Sequence, residues 1–94
     1  MIQLEKLENA SEMLKAIAHP MRIAIVDMLA DNKSLTVTEI HEALNIEQAV
    51  ASHHLSIMKN KGVLISERNG KNSYYKLKHP RLSQIVSCID KCQQ

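Results

Sequence analysis

Two thiols four residues apart, Cys88 and Cys92, and the imidazole of His79 are the side chains whose chemistry reaches furthest beyond packing. On a helix, a spacing of four puts both sulfurs on one face, about 6 Å apart. Such a pair holds a zinc-type or thiophilic metal ion when further ligands, His79 among them, come from a second subunit. The spacing suits a disulfide within a helix badly, because the Cβ vectors do not face each other. A fraying last turn, or a bridge between subunits, still leaves thiol oxidation open. The third reading is packing, since cysteine is a good small hydrophobe. All three stand open, and no cofactor follows from them. The chain has no Gly-rich phosphate loop and no paired acidic motif, and its His and Cys residues lack an orienting acid, so catalysis is not expected.

A second set of chemically capable residues lies between Gln48 and Lys61. At about 100° per residue, Ala49, Ser52, His53, Ser56 and Asn60 fall on one arc, with Gln48 and Lys59 beside it. Val50, Ala51, His54, Leu55 and Met58 fall on the opposite arc. The outward arc is small, polar and free of acids. Small residues let a helix sit deep in a groove, and Ser, Gln, Asn and His can hydrogen-bond base edges. A merely solvated helix of this length more often carries Glu and Lys pairs. Among the other histidines, His19 reads as a cap or hydrogen-bonding group, His54 as a satisfied core residue and His41 as a solvated helix residue.

These side chains need elements to position them. Ile2 to Ala18 has the apolar spacing of an amphipathic helix, through Leu4, Leu7, Leu14 and Ile17. His19-Pro20 ends it, and Pro20 suits the first turn of a second helix running to about Ala30. Asp31 to Ser34 is a polar loop. Thr36-Val-Thr-Glu39 has capping-box spacing and opens a third helix carrying Val37, Ile40, Ala43 and Leu44. Asn45-Ile-Glu-Gln48 offers a similar cap to a fourth helix, which Gly62 stops in a left-handed turn. Val63 to Arg68, Asn69-Gly70 and Lys71 to Leu77 then read as a hairpin turning at Asn-Gly. A last helix runs from Pro80 to about Cys92. The order α-α-α-α-β-β-α, mainly α with a small β-hairpin, is that of a winged helix-turn-helix. In that arrangement the fourth helix is expected in the major groove, with the wing setting Arg68, Asn69 and Lys71 against phosphates.

With 94 residues the chain makes one domain, 1–94. It has no Phe or Trp and only two tyrosines, Tyr74 and Tyr75, so its core is aliphatic. The net charge is only +2, which excludes a basic arm coating any polyanion. Positive charge is clustered instead: Lys59, Lys61, Arg68, Lys71, Lys76 and Lys78 stand against the single acid Glu67 between 59 and 78. No apolar run could span a bilayer. Met1 to Lys15 carries acids and no cleavage-site pattern, so neither leader nor membrane partner is expected. Two cysteines without a disulfide pattern fit the reducing cytoplasm.

Four stretches together resemble the ArsR/SmtB family of bacterial repressors: Leu14 to Val26 with its Ala-His-Pro-Met-Arg, Ser52-His-His-Leu55, Lys61-Gly-Val-Leu64, and Gly70 to Leu77 with its Tyr-Tyr. The resemblance covers roughly residues 5–92. It implies a homodimer built from the first and last helices, and repression relieved by an inducer. By match it implies Gln48, Ala49, Ser52 and His53 as DNA-facing positions, with Ala49 where many members have a hydroxyl. Of the family's metal positions, Thr36 and Thr38 replace cysteines at the third helix. On the last helix His79 and Cys92 fall on two ligand positions, but Arg81 replaces another.

The dimer also has support from the residues themselves. The first helix, within 1–18, has the stripe Leu4, Leu7 and Leu14. The last, within 80–92, has Leu82, Ile85, Val86 and Ile89. A chain this short cannot easily bury both. The partners expected are therefore double-stranded DNA and a second copy. The rival reading is a winged helix used only to bind protein.

Overall fold

A computed structural model of the chain describes residues 1–93. Among these residues the order is α1 (Leu4–Ile17), α2 (Pro20–Met28), β1 (Leu35–Thr36), α3 (Val37–Leu44), α4 (Gln48–Asn60), β2 (Leu64–Asn69), β3 (Asn72–Leu77) and α5 (Leu82–Cys92). The five helices and the hairpin are those expected. The last helix begins two residues later than expected, because Pro80 and Arg81 form a turn before it.

The aliphatic core explains the placing of α2. Ile25, Val26 and Leu29 are fully buried. Ile40 of α3, Leu55 and Met58 of α4, Val63, Leu64 and Leu77 of the sheet region and Ala16 and Ile17 of α1 complete the cluster. A helix apolar almost all round must be central, and α2 packs against α1, α3, α4 and α5. Ala43 of α3 is exposed, so that helix buries only Ile40, with Val37 and Leu44 half-buried.

Helix ends set the directions of the elements. Thr36 Oγ1 accepts from the Glu39 amide at 3.1 Å, and the Thr36 amide donates to Glu39 Oε1 at 3.0 Å. This capping box is formed as expected. The second cap is not: α4 starts at Glu47 with no side-chain cap bond. Asn45 instead ends α3 in the left-handed region, at φ 54 and ψ 46. The Asn45 amide donates to the Glu42 carbonyl and the Ile46 amide to the His41 carbonyl. That is a Schellman closure, and asparagine is among the few side chains that tolerate its positive φ. A three-residue turn between α3 and α4 needs Asn45 for that purpose, so it cannot also cap α4.

The end of α4 repeats the device. Gly62 has φ +80. Its amide donates to the Lys59 carbonyl at 3.1 Å, and the Val63 amide to the Met58 carbonyl at 2.9 Å. Met58 and Val63, the apolar pair that accompanies such closures, are both fully buried.

The sheet holds three strands rather than two, in the order β1-β3-β2. Leu35 pairs with Tyr75 and Thr36 with Tyr74. Two residues carry no readable alternation, which is why β1 escapes a reading by periodicity. In the hairpin Asn69 pairs with Asn72, so the connecting residues are Gly70 and Lys71, one step beyond Asn69-Gly70. Gly70 alone has positive φ, +67. Positive φ at the first central residue only is the type II′ pattern, not the type I′ pattern expected from Asn-Gly.

The radius of gyration is 13.5 Å, above the roughly 12 Å usual for a compact chain of this length. The excess has a visible source. Every residue from Met1 to Glu12 is exposed, and α1 is buried only at Ala16 and Ile17. That helix leaves most of its surface uncovered by the rest of the protomer.

A Cβ added at Gly62 meets nothing within 4 Å, so substitution there acts through backbone conformation alone. Gly62→Ala should lower the unfolding free energy by roughly 1–2 kcal/mol, read as a shift of the urea midpoint without a change of slope.

Candidate nucleic-acid interface

The surface begins with α4, held from within. Ala51, Leu55 and Met58 are fully buried, and His54 is the one buried polar side chain among the described residues. A buried imidazole needs partners. Arg22 Nε donates to His54 Nδ1 at 3.1 Å, and the same guanidinium donates through Nη1 to the Ala16 carbonyl at 3.3 Å. One arginine on α2 thus ties the last turn of α1 to the inner face of α4. His19 Nδ1 accepts from the Met21 amide at 3.0 Å and caps α2. Its ring lies 4.6 Å from that of His54. His41 departs from the expected solvated residue: it is half-buried, with Nδ1 3.2 Å from the Ile46 carbonyl in the turn before α4.

With its inner face anchored, α4 presents Gln48, Ala49, Ser52, His53, Ser56, Lys59 and Asn60 to solvent. The helix itself contains no acid. Glu47 stands just outside as N-cap, where its charge complements the helix dipole. Val50 differs from its expected place. It is 43% exposed, at the edge of the outward arc rather than in the core. One residue of rotation separates those outcomes, and the core side is already filled by Ala51, His54, Leu55 and Met58.

The wing follows α4 directly. Arg68, Asn69 and Lys71 are exposed at its tip. Of the six cations between 59 and 78, two have acidic partners. Lys76 Nζ lies 2.9 Å from Glu67 across the hairpin, and Lys61 Nζ lies 3.1 Å from Glu12 on α1. Lys61, and then Lys15, hold the Glu12 carboxyl below its ordinary range. Among the described residues Lys59, Arg68, Lys71 and Lys78 have no acidic partner.

The other candidate chemistry is not gathered in the protomer. Cys88 and Cys92 are both exposed, free thiols. Among the described residues no three His, Cys, Asp or Glu side chains meet in a metal-holding group. Of the family's metal positions, His79 and Cys92 carry ligating side chains, whereas Thr36, Thr38 and Arg81 do not. The Thr36 hydroxyl is engaged with Glu39 on both its donor and acceptor sides, and Arg81 brings a cation to the start of α5.

The expected dimer residues divide into two groups. Leu4, Leu7, Leu14, Ile85 and Ile89 are exposed. Leu82 is buried in the protomer's own core and Val86 is half-buried against it. These two anchor α5 to the body, so the open stripe of α5 is Ile85 and Ile89.

Two short-linked helices, the second with an acid-free polar face, followed by a wing with unpaired cations at its tip, define a winged helix-turn-helix protein. Comparison with known proteins narrows the class. The family described as "Bacterial regulatory protein, arsR family" matches residues 19–66. The chain is 38% identical over 92 residues to the transcriptional repressor PagR of Bacillus anthracis, covering 98% of this chain and 92% of that one. It is 34% identical over 87 residues to the uncharacterized HTH-type transcriptional regulator MJ1325 of Methanocaldococcus jannaschii, covering 93% and 98%. The crystal structure of PagR superposes with a TM-score of 0.83 over 93% of this chain and 99% of that chain. The homodimeric winged helix-turn-helix DNA-binding domain Mb0332 of Mycobacterium bovis shares the fold, with a TM-score of 0.80 at 24% identity over 95% and 82% of the two chains. The chain belongs to the arsR family of bacterial regulatory proteins.

Burial, then the neighbouring His19, Arg22 and His53, push the His54 pKa below the ordinary 6.5. The fold therefore favours the neutral ring, as its acceptor role at Nδ1 requires. This stabilisation is present in full above pH 6.5 and is lost as pH falls through that value towards the folded pKa. Thermal melts between pH 7.5 and pH 5 should fall more steeply for the wild type than for His54→Gln, whose amide oxygen keeps an acceptor for Arg22 without titrating. Equal slopes would remove His54 from the account.

Proposed function

We propose that this arsR-family chain is a homodimeric transcriptional repressor that binds double-stranded DNA in the cytoplasm, with α4 in the major groove and the wing against the adjacent backbone. The observation that carries the reading is the outward face of α4. Gln48, Ala49, Ser52, His53 and Ser56 are open, with no acid on the helix, while its inner face is locked to the core. Gln48, Ser52 and His53 hydrogen-bond base edges, and Lys59, Arg68, Asn69 and Lys71 position the protein on phosphates. PagR, a repressor, aligns along nearly the whole chain.

The dimer rests on α1. A helix with Leu4, Leu7 and Leu14 exposed leaves apolar surface for a second copy to cover, together with Ile85 and Ile89 of α5. Two-fold pairing would set two copies of α4 about 34 Å apart, one turn of DNA. The sensed signal would act at the dimer helices. Cys88 and Cys92 lie exposed on α5, where either a thiophilic ion shared between subunits or oxidation would alter pairing.

Two measurements test this. Fluorescence anisotropy against the chain's own promoter DNA should show log K falling with log salt, with a slope of several units. Ser52→Ala and His53→Ala should narrow the gap between specific and random duplexes, while Lys71→Ala weakens both alike. A winged helix that binds only protein would show no duplex affinity and no salt slope. Separately, sedimentation should find the wild type dimeric and Leu7→Asp or Ile85→Asp monomeric, with helix content kept. A monomeric wild type would refute the dimer.

A further inference from the structure

The first turn of α4 carries two apolar side chains that the protomer leaves exposed. Ala49 is exposed and Val50 is 43% exposed. At about 100° per residue, Ala49 stands near the middle of the open arc, between Ser56 and His53, with Val50 at its edge. The rest of that arc is polar. Solvation alone gives no reason for this pair, since an exposed valine is a mediocre helix former that gains nothing from water.

The place of the pair gives a reason. The N-terminal residues of a reading helix are those that reach base edges. Each base pair presents hydrogen-bond donors and acceptors in the major groove, and its one apolar mark is the C5 methyl group of thymine. A hydroxyl side chain reads acceptors and donors, whereas alanine and valine can match only that methyl. Gln48, directly before them, has the amide that pairs with adenine on its major-groove edge.

Resting on the DNA-binding reading above, we propose that Ala49 and Val50 recognise thymine methyl groups in each half-site, as specificity residues beside the hydrogen-bonding Gln48, Ser52 and His53. The half-site is then A·T-containing where the first turn of α4 meets it. Its sequence preference comes partly from methyl contact rather than from hydrogen bonds.

The test removes the methyl and nothing else. A duplex enriched by the wild-type protein from a random-sequence library is resynthesised with deoxyuridine replacing thymidine, one position at a time. Binding is measured for the wild type, Ala49→Ser and Val50→Ser, each first checked by circular dichroism for wild-type helix content. Wild-type affinity should fall about fourfold for each contacted thymine, the worth of one buried methyl. Each variant should bind the thymine duplex more weakly by a similar factor and lose its sensitivity to uracil at one position. Should uracil at every position leave wild-type affinity unchanged, or both variants keep the full thymine preference, the methyl-reading role is overturned while DNA binding stands. If no duplex is enriched or bound with a salt slope, the DNA-binding reading itself fails, and this one with it.

Discussion

The Arg22 guanidinium makes the interaction on which the arrangement of the open face of α4 depends. A core built from Leu, Ile, Val, Met and Ala packs well, but such side chains allow neighbouring packings of similar energy. Directional bonds select among these. His54 sits on the buried face of α4, where an unpartnered nitrogen would be costly. Arg22 supplies the donor and reaches the Ala16 carbonyl at the same time. Rotating α4 by one residue would bury a different side chain and leave both the imidazole and the guanidinium without their partners. The Ala-His-Pro-Met-Arg stretch thereby gains a physical meaning. His19 caps α2, Pro20 opens it, and Arg22 ties three helices together.

Helix ends do the rest of the positioning. Asn45 and Gly62, both at positive φ, close α3 and α4 with the same hydrogen-bond pattern. The two closures bound α4 on each side, and buried Met58 and Val63 seal the second against the core. The wing therefore leaves α4 in a set direction, with Leu64 already in the core.

Much of this was legible in the residues. The periodicity of α1, α2 and, Val50 apart, α4, the Thr36–Glu39 box and the Gly62 stop depend on near neighbours, and they are present as read. What escaped depends on partners far along the chain or on competition between local roles. β1 is two residues long and exists only because Tyr74 and Tyr75 pair with it. Asn45 suits a cap and a left-handed turn equally, and only the shortness of the connection decides between them. The hairpin register, set by Asn69 against Asn72, moved the turn one residue past the Asn-Gly signal. For the candidate site, the polar residues of α4 were readable as a face. The Arg22–His54 bond, spanning 32 positions, was not, and neither was the Lys61–Glu12 pair that removes one cation from the basic cluster.

Thr36 belongs to two elements at once. It pairs with Tyr74 in the sheet, and its hydroxyl and amide close the first turn of α3. Strand and helix meet at this one residue with no linker between them. The wing is thereby joined to α3 through β3 and β1, with no loop between β1 and the helix. A three-residue turn joins α3 to α4, so the sheet and the two helices form one continuous run of paired and capped elements. That run reaches from the exposed side chains of α4 to Gly70 and Lys71 at the tip of the wing.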